Sequence, residues 1–235
     1  MSARTLFGDE RLPLVCVPLI AQTHADLLAD AAAVVSQHPD VIEWRADHFV
    51  GIQSLDALVA AGSALREVTG DIPLIFTLRS SAEGGHPVSL SPQAVDALRL
   101  TAANELPFEF HDVEMRSPET LTSELIRRVH ARGGRVILSA HDFQGTPNDE
   151  ALASIFLRAH QLGGDVAKVA VMPQSPEDVL RLLAMTRRMS ETLPIPVVSM
   201  SMGSLGVMSR IFGGVFGSAL TFATSAGESA PGQLP

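Results

Sequence analysis

Arg135-Val-Ile-Leu-Ser-Ala-His-Asp142 is followed by an amphipathic run over 149–162, by Gly163-Gly164, and by Asp165-Val-Ala-Lys-Val-Ala-Val-Met172. Two short β-like runs joined through a helix-length segment make a β–α–β unit, and its strands lie parallel. The same alternation extends in both directions. Further strand-like runs fall at 14–20, 41–47, 73–79, 108–114, 195–202 and 215–222. Amphipathic stretches fall at 24–36, 54–67, 92–105, 118–132 and 176–192. Ser91, Ser117 and Ser175 stand before Pro92, Pro118 and Pro176 as helix-start signals. Gly133-Gly134 and Gly163-Gly164 stand where helices should stop. Eight such strands, undivided by any linker, predict an α/β fold: a single (β/α)8 TIM barrel over residues 1–235. A doubly wound sheet is the alternative. It ordinarily carries a Gly-rich phosphate loop after the first strand, and Ala21-Gln22-Thr23-His24 offers none. The helix expected after the eighth strand is missing from this chain.

Composition agrees with a large buried core. Of 235 residues, 46% are hydrophobic and 18% charged, which excludes a disordered chain. A net charge of −9 argues against a general nucleic-acid binder. The single cysteine, Cys16, lies in an apolar run and reads as a buried small hydrophobe in a reducing compartment. The start of the chain has no apolar core of signal-peptide length, and no stretch has the apolar length of a membrane span. A cytoplasmic protein with no membrane partner is expected.

The basic residues are 16 arginines and one lysine, Lys168. Codon bias accounts for the missing lysines, but not for one that remains between Val166-Ala167 and Val169-Ala170. A lysine in such a run must be paired or give up its proton, and a neutral amine attacks ketones to form a Schiff base. Strand alternation puts Glu43 with Arg45 on one face, and likewise Thr77 with Arg79, Asp112 with Glu114, Ser139 with His141, and Met200 with Met202. Each pair alone reads as a salt bridge, a turn residue or core filler. Their convergence near the C-terminal ends of barrel strands, where active sites of this fold lie, points to chemistry. His141 is the natural proton carrier. Glu83, beside Gly84-Gly85, is placed to orient its imidazole. Metal chemistry is the rival reading, through His111-Asp112-x-Glu114 and Glu43…Asp47-His48. Alternation splits both sets across two faces, and no HxH or HExxH spacing exists. No metal is expected.

Several ordered segments together resemble the type I 3-dehydroquinate dehydratases of the shikimate pathway, which leads to chorismate and the aromatic amino acids. They include Glu43-Trp44-Arg45-Ala46-Asp47-His48-Phe49, Thr77-Leu78-Arg79-Ser80 through Glu83-Gly84-Gly85, and Asp112-Val113-Glu114. They continue with Ser139-Ala140-His141-Asp142-Phe143, Lys168-Val169-Ala170-Val171-Met172-Pro173-Gln174 and Ser199-Met200-Ser201-Met202-Gly203. The last are Gly206-Val207-Met208-Ser209-Arg210 and Ser229-Ala230-Pro231-Gly232-Gln233, so the likeness runs from about Leu14 to Gln233. The resemblance implies a lyase without metal or cofactor that dehydrates 3-dehydroquinate by syn elimination. It implies Lys168 as the Schiff-base lysine, His141 as general acid/base and Glu83 as its supporting carboxylate. It makes Glu43, Arg45, Arg79, Arg210, Ser229 and Gln233 substrate contacts, with Met200 and Met202 against the ring. It also implies a homodimer. The alternatives are another Schiff-base lyase of the class I aldolase type and a non-enzymatic sensor of quinate-like acids. Two departures stand out. The family's N-terminal hairpin is reduced to Arg4–Pro13, and the final helix is absent. Residues 225–233, rich in small side chains, are expected to close over the barrel mouth as a lid.

Overall fold

The β-like runs form eight parallel strands in the computed structural model, which describes residues 13–225 and 229–234. They are β1 (Leu14–Leu19), β2 (Val41–Arg45), β3 (Leu74–Thr77), β4 (Phe110–Glu114), β5 (Arg135–Asp142), β6 (Val166–Val171), β7 (Val197–Ser201) and β8 (Leu220–Phe222). Between them lie α1 (His24–Val35), α2 (Leu55–Thr69), α3 (Pro92–Glu105), α4 (Glu119–Ala131), α5 (Asp149–Gln161), α6 (Pro176–Thr192) and the short α7 (Val207–Phe212). The spatial order β7-β6-β5-β4-β3-β2-β1-β8 is that of a TIM barrel nearly closed on itself. Continuous ladders join all neighbours except β7 and β8. There the contact is a bridge between Val197 and Ser218, with the Ser218 hydroxyl accepting from the Ser199 N–H at 3.1 Å. Among the described residues no helix follows β8. Residues 4–12 of the N-terminal hairpin lie outside the described residues, as do Ala226, Gly227 and Glu228 of the expected lid.

Alternation sorts the side chains into two shells. Outward residues such as Ile42, Trp44, Leu74 and Phe76 pack under α1–α3, and Val136, Leu138, Ala167 and Val169 pack under α4–α6. Trp44 is wholly buried, with edge-on contacts to Phe49 and Phe76. Each such side chain taken from water stabilises the fold by about 1.5–3 kcal/mol. Inside the barrel, Cys16, Val41, Ile75, Phe110, Ile137, Val166, Val198 and Leu220 form an apolar floor. Two residues further along the strands the inward positions become Glu43, Thr77, Asp112, Ser139, Lys168 and Met200. The floor therefore ends where the ionisable layer begins.

Some expected boundaries shift. The eighth strand is not 215–222 but only Leu220–Phe222, because the glycine-rich run before it folds as a 3-10 turn over Gly213–Phe216. β7 starts at Val197, since Pro194 and Pro196 have no N–H for a ladder. β2 stops at Arg45, and Ala46–His48 form a 3-10 turn. The Ser91 hydroxyl caps α3 by accepting from the Ala94 N–H. Ser117 caps nothing: α4 begins after Pro118, and the Ser117 N–H bonds to the Glu114 carbonyl. Ser175 holds the cap position of α6 without a side-chain bond to that helix's backbone.

Candidate active site

The eleven side chains to which the resemblance gives a role line one cavity at the C-terminal mouth, a space of about 530 Å³ that runs out into open solvent. They are Lys168, His141, Glu83, Glu43, Arg45, Arg79, Arg210, Met200, Met202, Ser229 and Gln233. Lys168 projects from the middle of β6 and is buried. Its Nζ lies 3.0 Å from Asp112 Oδ2 and 3.9 Å from Glu43 Oε1, and 4.5 Å from the Phe222 ring centroid. Glu43 also accepts from the Thr77 hydroxyl at 2.7 Å.

Asp112 joins three strands. Its Oδ2 meets Arg79 Nη2 at 2.8 Å, and its Oδ1 accepts from the Ser139 hydroxyl at 2.6 Å. Arg79 also donates to Glu114 at 3.2 Å and to Ser139 at 3.0 Å. Burial opposes the charged carboxyl of Asp112, but Arg79 and then Lys168 outweigh it and hold the group well below the usual carboxylate range. Burial likewise opposes the charge on Arg79, and Asp112 and Glu114 reverse that effect. The guanidinium of Arg79, expected to meet substrate, is thus occupied by two carboxylates and a hydroxyl of the barrel wall.

His141 ends β5, with Nδ1 2.7 Å from Glu83 Oε2. Burial, then Arg79 and Lys168, push the imidazole well below its ordinary value, so its neutral form prevails. Glu83 sits on the 3-10 turn Ser81–Glu83. Gly84 ends that turn in the left-handed region, at φ 82°, where a side chain would be strained. Burial and then the charge of Glu114 raise the Glu83 carboxyl to about 7.

Arg45 forms a two-pronged pair with Asp47, at 2.9 and 2.8 Å, and donates to the Ser229 carbonyl at 3.1 Å. Asp47 also accepts the His86 N–H at 2.8 Å, tying the end of β2 to the loop that follows Glu83. Arg210, on α7, donates to the Pro231 carbonyl at 2.9 Å and contacts Met200 Sδ at 3.6 Å. Residues 229–234 therefore lie against the mouth. Gly203 N–H bonds to Pro231 O, and a Cβ at Gly232 (φ 78°) would sit 2.5 Å from the Gly203 carbonyl. The Gln233 side chain is buried and bonded to Ser229, whose N–H it accepts at 2.7 Å.

Sequence reasoning placed Asp112 on an inward face without a role of its own, weighed Asp47 only as a metal ligand, and assigned nothing to Phe222 or Phe143. The one signal for Asp112 was its place on the inward face of β4, which it shares with Phe110 and Glu114. Phe222 shares the inward face of β8 with Leu220. His111 turns outward against Phe76, and burial lowers it to about 3. Among the described residues no three His, Cys, Asp or Glu side chains converge as metal ligands. None of the helices described is long and apolar enough to cross a membrane.

Residues 15–235 match the family model described as type I 3-dehydroquinase. The chain is 46% identical over 225 residues to a 3-dehydroquinate dehydratase of Albidiferax ferrireducens, covering 96% of this chain and 85% of the relative. The fold is similar to the crystal structure of 3-dehydroquinate dehydratase from Geobacillus kaustophilus, with a TM-score of 0.93, 38% identity, and coverage of 97% and 88% of the two chains. It is also similar to type I 3-dehydroquinate dehydratase from Clostridium difficile with covalent modified comenic acid. There the TM-score is 0.90 and the identity 37%, covering 96% of this chain and 88% of that one.

Proposed function

The chain belongs to the type I 3-dehydroquinase family, and from that premise we propose that it dehydrates 3-dehydroquinate to 3-dehydroshikimate through a Schiff base on Lys168. The Lys168 amine adds to the C3 ketone, and loss of water leaves a protonated imine. That imine is an electron sink and acidifies the neighbouring C2–H. Neutral His141 removes a C2 proton to give an enamine, which expels the C1 hydroxyl as His141 returns the proton. One histidine serving both steps makes the elimination syn. Water then hydrolyses the new imine, freeing the product and the amine.

The observation that carries this reading is a buried amine set among carboxylates in the same cavity as a neutral imidazole. General acid/base action contributes about 10²–10⁴-fold, and the covalent electron sink must supply much of the remainder. Arg210 is the group we assign to the substrate carboxylate, with Arg45 beside it, because guanidinium geometry suits a carboxylate. Met200 and Met202 flank the ring, and Ser229 and Gln233 close over it. A cytoplasmic homodimer belongs to the same reading and is carried by the resemblance.

Borohydride reduction in the presence of 3-dehydroquinate tests it. Because Lys168 is the only lysine, the adduct mass mapped to its peptide assigns the nitrogen. Lys168→Ala should abolish trapping and turnover together, and trapping that persists in that variant refutes the reading.

A further inference from the structure

We propose that Asp112 is the counter-ion of the Lys168 nitrogen, pairing with it first as ammonium and then as iminium. This rests on the Schiff-base reading of Lys168. The nitrogen is the same atom in both states, so a carboxylate fixed at 3.0 Å meets its charge before and after condensation. Asp112 is held where it is by three strands. Its own strand is β4, Arg79 pins it from just past the end of β3, and the Ser139 hydroxyl pins it from β5. Its side chain has no exposure, so water does not screen the pair.

The other groups facing Lys168 do not replace it. Glu43 on β2 stands further off, at 3.9 Å, and also binds the Thr77 hydroxyl. His141 on β5 carries no charge to offer, since Arg79 and Lys168 help keep it neutral. Cys16 on β1 stays a thiol, raised by burial and by Glu43. From β8 the Phe222 ring contributes only its face. Glu114, the remaining nearby anion, is taken by Arg79 and by the Ser80 N–H. Three carboxylates thus answer two cations, and Asp112 is the one that touches both. A counter-ion so placed meets the charge of the protonated imine, which is the form that acidifies C2.

The experiment is trapping of the 3-dehydroshikimate adduct with cyanoborohydride across pH, in the wild type and in Asp112→Asn, beside steady-state turnover. Removing an opposite charge lowers the lysine's proton affinity. The onset of trapping in Asp112→Asn should therefore move to lower pH by about one to three pH units. Turnover should fall about 10- to 100-fold, because the imine gives up its proton more readily. Reduced turnover with an unmoved onset overturns the inference and leaves Asp112 a structural residue. A wild type that forms no adduct overturns the Schiff-base reading itself. If Asp112→Asn melts far below the wild type, adding Lys168→Met should raise its Tm again by removing the orphaned ammonium. A double variant no more stable than Asp112→Asn refutes the pairing.

Discussion

Replacing Glu83 with glutamine should make the protein less active and, above neutral pH, more stable. The Glu83 carboxyl is raised from 4.5 to about 7 by burial and then by Glu114. Between those values the folded chain keeps a proton that the unfolded chain has released. Stability therefore falls as pH rises through that window, and the full loss, about 3 kcal/mol, is present above pH ~7. Glutamine has the same shape and no charge to bury. Losing the charge-assisted bond to His141 offsets part of the gain, leaving a net stabilisation of about 1–3 kcal/mol. For a chain of this size that corresponds to a Tm higher by roughly 3–8 °C. Thermal melts at pH 4.5 and pH 8.5 test this against the wild type. The two proteins should melt together at the lower pH, and the variant should melt higher at the upper one. Turnover at pH 7 should drop about 10- to 100-fold because a neutral amide orients the imidazole less strongly than a carboxylate and does not support its charged form. A Tm difference that does not change with pH refutes the argument, since Glu83 would then titrate alike in folded and unfolded chains.

His141→Ala should lower turnover by about 10²–10⁴-fold while borohydride still fixes an adduct on Lys168, and near wild-type turnover would assign the proton to another group. Deleting residues 227–235 removes the carbonyls that Arg45 and Arg210 hold, together with Ser229 and Gln233. It should raise KM and lower kcat while leaving Lys168 trapping intact; unchanged constants would make the segment a tail.

The barrel was legible because short apolar runs recur between helix-length amphipathic segments, and the polar side chains inside those runs fall at one parity. Alternation put Lys168, His141 and Glu43 on the inward face, and burial on both sides left no edge strand on which Lys168 could reach water. What alternation does not reveal is which inward groups touch. Asp112 and Glu114 look equivalent in sequence, yet the Asp112 carboxylate reaches Lys168 at 3.0 Å while Glu114 accepts from Arg79 and the Ser80 N–H. Arg79 looked like a hand for substrate. It does line the cavity, and its guanidinium also bonds to two carboxylates of β4, which alternation alone does not show. Residues 229–234 carry no large apolar anchor. Their placement depends on backbone carbonyls bonded to arginines far away in sequence, which composition does not report.

The unladdered junction between β7 and β8 divides the barrel mechanically. Lys168, Asp112, Arg79 and His141 belong to strands or strand ends flanked by a ladder on each side, so releasing any of them means breaking rows of backbone bonds. Arg210 and the 229–234 segment sit beside the junction, where one bridge and a serine hydroxyl hold the wall together. Local opening follows the path of fewest broken bonds, and amide hydrogens along β7–β8 are then the first to exchange. Lys168, Asp112, Arg79 and His141 therefore stand on the side of the barrel that opens last.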